Sequence, residues 1–264
     1  MQVSVLGCGW LGLALGAELV QRGHVVKGSV THAEKLGELA RAGVEGYLLE
    51  LTPTVIGDVK DFFGTDALLI TLPPKRSEAG ARERYPAQIR AALRHVSPNT
   101  HVVFTSSTSV YPELGRVVTE TDAGGDVSES GRAILEAETL VSAHNGTILR
   151  LAGLYGYARQ PGRRLAGRDI SGGDAPVNLV HRDDVVEVLV RVLEHNLRGL
   201  TLNVCADRHP ARREVYTRQA ERYGFPPPRF VEPHAQDYKM VSNEALKSIV
   251  GFTFRYSDPL ADAP

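Results

Sequence analysis

The chain has 264 residues, with 30 Lys plus Arg against 31 Asp plus Glu and a formal net charge of −1. That balance excludes a general electrostatic attraction to nucleic acid or to an anionic membrane, and no apolar run approaches the roughly 20 residues that a membrane span requires. Two cysteines, Cys8 and Cys205, make no disulfide framework, and MQVSVLGCGW enters a strand pattern with no basic leader, so a cytoplasmic protein is expected.

In chain order, short Val/Ile/Leu-rich segments alternate with helical patterns. Strands are expected at QVSVL (2–6), HVVKGSV (24–30), VEGYLLEL (44–51), DALLITL (66–72), HVVFTSS (101–107) and GTILRL (146–151). Helices are expected at about 10–22, 32–42, 78–95 and 129–144, the last keeping Ile134, Leu135, Thr139 and Leu140 near helical spacing. Beyond residue 151, YGYARQPGRRLAGRDISGGDAP (155–176) has no period and reads as a long loop. VNLVHRDDVVEVLVRVLEH (177–195) reads as a short strand and an amphipathic helix, and TLNVCA (201–206) as one more strand. A helix at about 212–223, a proline break at GFPPPRF and a small helix near 243–250 complete the chain. KMVSNEALK, with Met240, belongs to that last helix, capped by Ser242 or Asn243.

Strict strand–helix alternation predicts an α/β fold: a Rossmann-type doubly wound parallel sheet of about seven strands with a small C-terminal substrate lobe. Residues 1–151 are expected to form the nucleotide-binding domain. Residues 152–264 would complete the sheet over about 177–206 and build the lobe.

The strongest motif is GCGWLG at 7–12, a G-x-G-x-x-G that follows a strand and opens a helix, the context that gives the pattern meaning. Gly7 would allow the tight turn, Gly9 the approach of a pyrophosphate, and Gly12 close helix–strand packing, with the helix N-terminus facing the phosphates. The whole turn, Gly7, Cys8, Gly9, Trp10, Leu11 and Gly12, is assigned to a dinucleotide, Cys8 and Trp10 by packing the loop. An NAD site places an acid at the end of the second strand. Here KGSVTHAEK (27–35) has none before Glu34, which already falls in the expected helix. Ser29, Thr31, His32 and Lys35 instead offer hydroxyl and cationic groups to a 2′-phosphate, so NADP(H) is expected over NAD(H).

At this point the chain resembles the extended, NAD(P)-dependent epimerase/dehydratase-like branch of the short-chain dehydrogenase/reductase superfamily. GCGWLG, ALLITLPP, VVFTSSTSVYP, LEAE, ILRLAGLYGYARQP, VNLVHRDDVVEVL and TLNVCADRHPARREVY carry the resemblance over most of the chain. It implies a catalytic Ser107, a cofactor lined by Thr71, Leu72, Pro73 and Ser106, and RLAGLYG passing near the nicotinamide. It implies Asp183 at the start of a helix and a small-molecule substrate, commonly a nucleotide sugar. Homologous folds are commonly homodimers.

Two departures stand out. Leu6 stands where the extended branch has its first glycine. Aligning LEAE places Ser130 at the position of the general-acid tyrosine and Ile134 at that of its lysine, and no tyrosine in the chain has a lysine four residues later. The resemblance is therefore to an atypical subgroup without the usual relay. Tyr111 and Tyr155, on loops after strand ends, are the substitute proton donors to consider, although packing explains either; Tyr155 with Arg159 imitates the pair without a helix. Ser107 polarises a carbonyl or ends its strand. Arg159, Arg163, Arg164 and Arg168 clamp an anionic substrate or form a solvated loop. His181, Asp183 and Asp184 are read as a helix start, not a metal site. Two functions stay open: an oxidoreductase or epimerase-like enzyme with a replacement acid, or a non-catalytic NADP(H)-binding sensor or partner-binding protein.

Overall fold

The computed structural model describes residues 1–52, 54–74, 80–231 and 238–261. In chain order the first elements are β1 (Gln2–Leu6), α1 (Trp10–Gln21), β2 (Val25–Val30), α2 (Leu36–Arg41), β3 (Glu45–Leu48), β4 (Glu50–Leu51), β5 (Val55–Ile56), α3 (Val59–Phe63) and β6 (Ala67–Ile70). There follow α4 (Ala81–Leu93), β7 (His101–Ser107), β8 (Arg116–Val118), α5 (Glu129–Ser142), β9 (Thr147–Leu151), β10 (Gly153–Tyr155) and β11 (Asp169–Ile170). The chain closes with β12 (Leu179–His181), α6 (Arg182–Glu194), β13 (Thr201–Val204), α7 (Arg212–Tyr223), β14 (Arg229–Phe230), β15 (Lys239–Val241) and α8 (Glu244–Val250).

Seven strands form one sheet in the order β13-β9-β7-β6-β1-β2-β3. The registers β3/β2, β2/β1, β1/β6 and β6/β7 are all parallel. The chain leaves β1 toward β2 on one side and later crosses to β6 on the other, so the turn after β1 lies at the topological switch point where such sheets bind ligands. β6 reads ALLI and is buried at every residue, the pattern of a strand covered on both faces. On α1, Leu11, Leu15 and Leu19 repeat every fourth residue and are buried, each such leucine contributing about 1.5–3 kcal/mol.

The chain divides into two compact units. The first comprises residues 1–110, 126–150 and 186–201; the second comprises 111–125, 151–185 and 202–264. In the second, buried Asp184 accepts the backbone N–H groups of Arg255 and Tyr256 at 2.9 and 3.0 Å, which fixes the C-terminal segment. Phe252 and Phe254 meet edge to face there.

Several expected elements differ. The 44–51 strand ends at Leu48, and Glu50–Leu51 pairs antiparallel with Val55–Ile56 around a turn closed by Thr52 and Thr54. The 32–42 helix begins as a 3₁₀ turn, Ala33–Lys35, with no side-chain cap from His32, and continues as Leu36–Arg41. The five-residue helix Val59–Phe63 is too short to show a period in sequence. Leu179–His181 does not complete the main sheet: it pairs with Gly153–Tyr155 as a separate parallel ribbon. The 155–176 loop contains a 3₁₀ turn at Arg163–Leu165 and the short strand Asp169–Ile170. Met240 lies in β15, paired with Val117, and the last helix starts only after Asn243. The expected start of α4 at residues 78 and 79 lies outside the described residues.

Candidate functional site

The glycine turn is held by named bonds. Gly7 has φ +101°, a conformation open to glycine, and its N–H donates to Ser29 Oγ at 2.9 Å. The Cys8 N–H donates to the Ser29 carbonyl at 2.8 Å, and Thr71 Oγ1 donates to the Gly7 carbonyl at 2.8 Å. A Cβ on Gly12 would stand 2.5 Å from the Gly7 carbonyl oxygen and 2.7 Å from Thr71 Oγ1. A Cβ on Gly7 would stand 2.8 Å from a Leu72 methyl. Gly9 differs from both. Its φ is an ordinary −81°, and a Cβ there would meet no atom within 4 Å.

Gly9 is also the N-cap of α1, where no side chain caps the helix and no acid lies in the first turn. The first N–H groups of a helix have no acceptor within it, and the positive end of the helix dipole lies at that end. Leu11 is buried and Trp10 half-buried. Cys8 is buried, its thiol bonded to the Val5 carbonyl at 3.7 Å, and burial pushes its pKa up to about 12. It is a packing residue, held as the neutral thiol.

At the end of β2, Ser29 is buried and its hydroxyl is turned into the glycine turn. Thr31, His32 and Lys35 are exposed around the 3₁₀ turn, with Glu34 exposed between them. At the end of β6, Thr71 is engaged as above, the Leu72 carbonyl accepts the Tyr85 phenol at 2.9 Å, and Pro73 is exposed.

Ser106 and Ser107 part company at the end of β7. Ser106 is buried and donates to Glu138 at 2.5 Å. Glu138, from α5, also accepts two bonds from Arg150 of β9, at 3.0 and 2.8 Å. All three are buried, so the ion pair and the hydroxyl satisfy one another in the first unit's interior. Sequence reading used Glu138 only as the end of the LEAE landmark. Its signal was a carboxylate on the same helix face as Ile134, one turn on. Ser107 is half-buried, and its Oγ accepts the Ser109 N–H at 3.2 Å, a strand-ending bond that leaves its own O–H as a donor.

On α5, Ser130 is half-buried and within 3.1 Å of Ser128, the N-cap whose hydroxyl accepts the Gly131 N–H. Ile134 is 1% exposed. The position of the relay lysine is thus filled by a core isoleucine. The buried face is Gly131, Ala133, Ile134, Ala137, Glu138 and Val141, so Thr139, expected on the apolar face, points to solvent.

In the second unit Tyr111 is buried and its phenol donates to Asn203 at 2.6 Å. Tyr155 is not on a loop: it ends β10, is 2% exposed and packs edge to face on His181. Gly156 (φ +120°) then reverses the chain, with paired backbone bonds to Arg159, so Tyr155 and Arg159 share no helix face. Tyr157, unremarked in sequence, is exposed; its phenol donates to Asp183 at 2.7 Å, which raises its pKa, and the Arg182 guanidinium lies 4.0 Å over its ring. Asp183 and Asp184 occupy the first turn of α6. Arg159, Arg163, Arg164 and Arg168 are all exposed. Among the described residues, no three His, Cys, Asp or Glu side chains are disposed to hold a metal ion, and no helix is long and apolar enough to cross a membrane.

Comparison with solved structures places this architecture. A short-chain dehydrogenase/reductase superfamily protein from Agrobacterium tumefaciens, crystallised with bound NAD, matches with a TM-score of 0.80 at 20% identity, over 99% of this chain and 95% of that one. A UDP-glucose 4-epimerase from Thermotoga maritima, crystallised with UDP-glucose, matches at 0.78 and 17%, over 98% and 96%. A conserved protein of unknown function from Silicibacter pomeroyi matches at 0.77 and 23%, over 98% and 95%. The chain shares the fold of these proteins, among them a short-chain dehydrogenase/reductase superfamily protein and a UDP-glucose 4-epimerase. No family model matches the chain. Protein YeeZ of Escherichia coli (strain K12) is 36% identical over 269 aligned positions, covering 98% of this chain and 97% of its own length. The chain belongs to the YeeZ family.

Proposed function

We propose that the protein binds a nicotinamide dinucleotide, NADP(H) in preference to NAD(H), at the turn between β1 and α1. We further propose that it acts as an oxidoreductase or epimerase-like enzyme on a small carbonyl, hydroxyl or sugar-nucleotide compound. Gly9 carries the reading. Gly7 and Gly12 are required by their own surroundings, whereas Gly9 has an ordinary φ and open space where a side chain would go. A glycine with no internal reason, at an uncapped helix N-terminus on the switch point, is suited to an anion outside the protein.

The backbone of 7–12 and the start of α1 would hold the pyrophosphate; Thr31, His32 and Lys35 are free at the surface to meet a 2′-phosphate. Ser29, inside, would serve by ordering the turn. When bound, the cofactor supplies hydride exchange. Ser107 would donate its O–H to a substrate oxygen, and as a poor acid it would forgo much of the roughly 10²–10⁴-fold that a matched general acid contributes. In this reading residues 1–151 serve the cofactor and 152–264 the substrate, whose sugar-nucleotide class is suggested by the UDP-glucose bound to the Thermotoga epimerase. The test is NADPH oxidation or epimerisation over a panel of carbonyl compounds and UDP-sugars. Turnover abolished by Ser107→Ala supports the reading.

The second reading is a cofactor-binding protein without turnover. The packing of Tyr111, Tyr155 and Ile134 into interiors favours it. Saturable NADPH binding with no substrate turned over by the wild-type protein would select this alternative.

A further inference from the structure

The turn between α6 and β13 is docked on the first residues of β7 and β9. The Leu197 carbonyl accepts Thr147 Oγ1 of β9 at 2.7 Å and lies 2.9 Å from Nε2 of His101, the first residue of β7. The Gly199 N–H donates to the Asn145 carbonyl at 3.1 Å, and the Ile148 N–H to the Leu200 carbonyl at 2.7 Å. His101 is 2% exposed. A carbonyl has no proton to give, so Nε2 carries the N–H and Nδ1 is the lone pair of a neutral ring. Nδ1 is buried and has no hydrogen-bond partner among the described residues. A proton added there would become an enclosed N–H without an acceptor. The neighbouring charges do not relieve it. Arg198, on the turn itself, repels a cation, and its guanidinium donates to Asn196 and to the Asn99 carbonyl. The Asp66 carbonyl accepts the His101 backbone N–H, but the Asp66 carboxylate accepts the Gln2 N–H at 2.7 Å. Burial is the largest influence and lowers the imidazole pKa from its ordinary 6.5; the Leu197 bond raises it in part, and Arg198 lowers it again.

We propose that His101 is an acid-sensitive latch: neutral, it holds the Leu197 turn against the sheet, and protonated, it releases that turn. The state that takes up the proton is the one in which the turn has lifted and the ring reaches water, because only there does the new N–H find a partner. The docked value lies below 6.5, so docking is at full strength above about pH 6.5 and weakens as pH falls toward the docked value. Each pH unit over which only the lifted state is protonated shifts the opening equilibrium about tenfold. Thr147 bonds the same carbonyl but has no proton to gain in this range, so the pH dependence belongs to His101. The strands run parallel, and the latch lies at their opposite end from the glycine turn, so it stands apart from the cofactor reading.

The test is amide hydrogen exchange of the full chain at about pH 7.5 and about pH 5.5, read at Gly199. Leu69, fully buried in β6, is the reference that removes the intrinsic pH dependence of exchange. Protection at Gly199 should fall severalfold, up to about tenfold, relative to Leu69 at the lower pH. It should not fall in His101→Gln, whose amide can donate to Leu197 without titrating. The same variant separates His101 from His144 and His195, which are exposed and precede Asn145 and Asn196 in the chain. An unchanged ratio in the wild-type protein, or an equal fall in His101→Gln, would overturn the proposal. If His101→Gln fails to fold, the ring Cε1–H resonance of His101 in the wild-type protein, assigned through the labelled backbone, gives a second reading. A midpoint below 6.5 that coincides with the loss of Gly199 protection is expected. A midpoint at or above 6.5, or a titration that leaves Gly199 unmoved, would overturn the latch.

Discussion

The Ser29 hydroxyl accepts the backbone N–H of Gly7 at 2.9 Å, so the second strand dictates the shape of the turn that ends the first. The serine expected to meet a 2′-phosphate is buried, with its hydroxyl bonded within the turn. Ser29→Ala should leave the Gly7 N–H with no acceptor and lower stability by about 1–3 kcal/mol. Urea denaturation measures it, and an unchanged midpoint would show that another acceptor replaces the hydroxyl.

The three glycines of the turn should separate on substitution. Gly12→Ala places a methyl 2.5 Å from the Gly7 carbonyl and should cost about 1–3 kcal/mol or more. Gly9→Ala meets open space and should stay within about 0.5 kcal/mol of wild type. Cofactor affinity should nevertheless fall at least about tenfold, roughly 1.4 kcal/mol, because the methyl occupies the approach of the pyrophosphate. Thermal unfolding together with NADPH titration distinguishes loss of fold from loss of binding.

Glu138 and Arg150 form a buried pair joined by Ser106. Arg150→Met alone leaves a buried carboxylate without its cation and should destabilise by about 3–5 kcal/mol. The double substitution Glu138→Leu with Arg150→Met should recover a large part of that loss, since apolar replacement of a buried pair is often neutral. A double-mutant cycle with no coupling would show that the pair contributes nothing beyond its packing.

Burial pushes the Cys8 and Cys205 thiols up to about 12 from an ordinary 9.0. Raised folded values mean that the unfolded chain gives up these protons first. Their stabilisation is complete below about pH 9 and is lost as pH rises toward 12, at about 1.4 kcal/mol per pH unit for each thiol. The urea midpoint should therefore fall between pH 8.5 and 10.5, roughly half the approach to the folded value. The fall should be smaller in Cys8→Ala/Cys205→Ala. An equal fall in both proteins would assign it to other groups.

Much of this fold was legible because its signals are local. β1, β7 and α7 fall where periodicity placed them, and Gly7 and Gly12 are the positions at which sequence demanded glycine. The losses have physical reasons. The ribbon of Leu179–His181 with Gly153–Tyr155 is a long-range choice between two sheets that an apolar triplet does not encode. Tyr155 was read from its loop-like neighbours, whereas its burial against His181 depends on a second segment folding over it. Glu138 was only the end of the LEAE landmark, because its partners Arg150 and Ser106 reach it from two strands distant in sequence.

The most direct test of the account is a fluorescence titration of the purified protein with NADPH and with NADH, repeated on Lys35→Ala. Saturable NADPH binding, NADH weaker by at least about tenfold, and a Lys35→Ala variant that loses that preference are predicted, since one phosphate contact is worth about 1.4 kcal/mol or more. No binding of either nucleotide would contradict the cofactor reading. Equal affinity for both would contradict the role given to Thr31, His32 and Lys35.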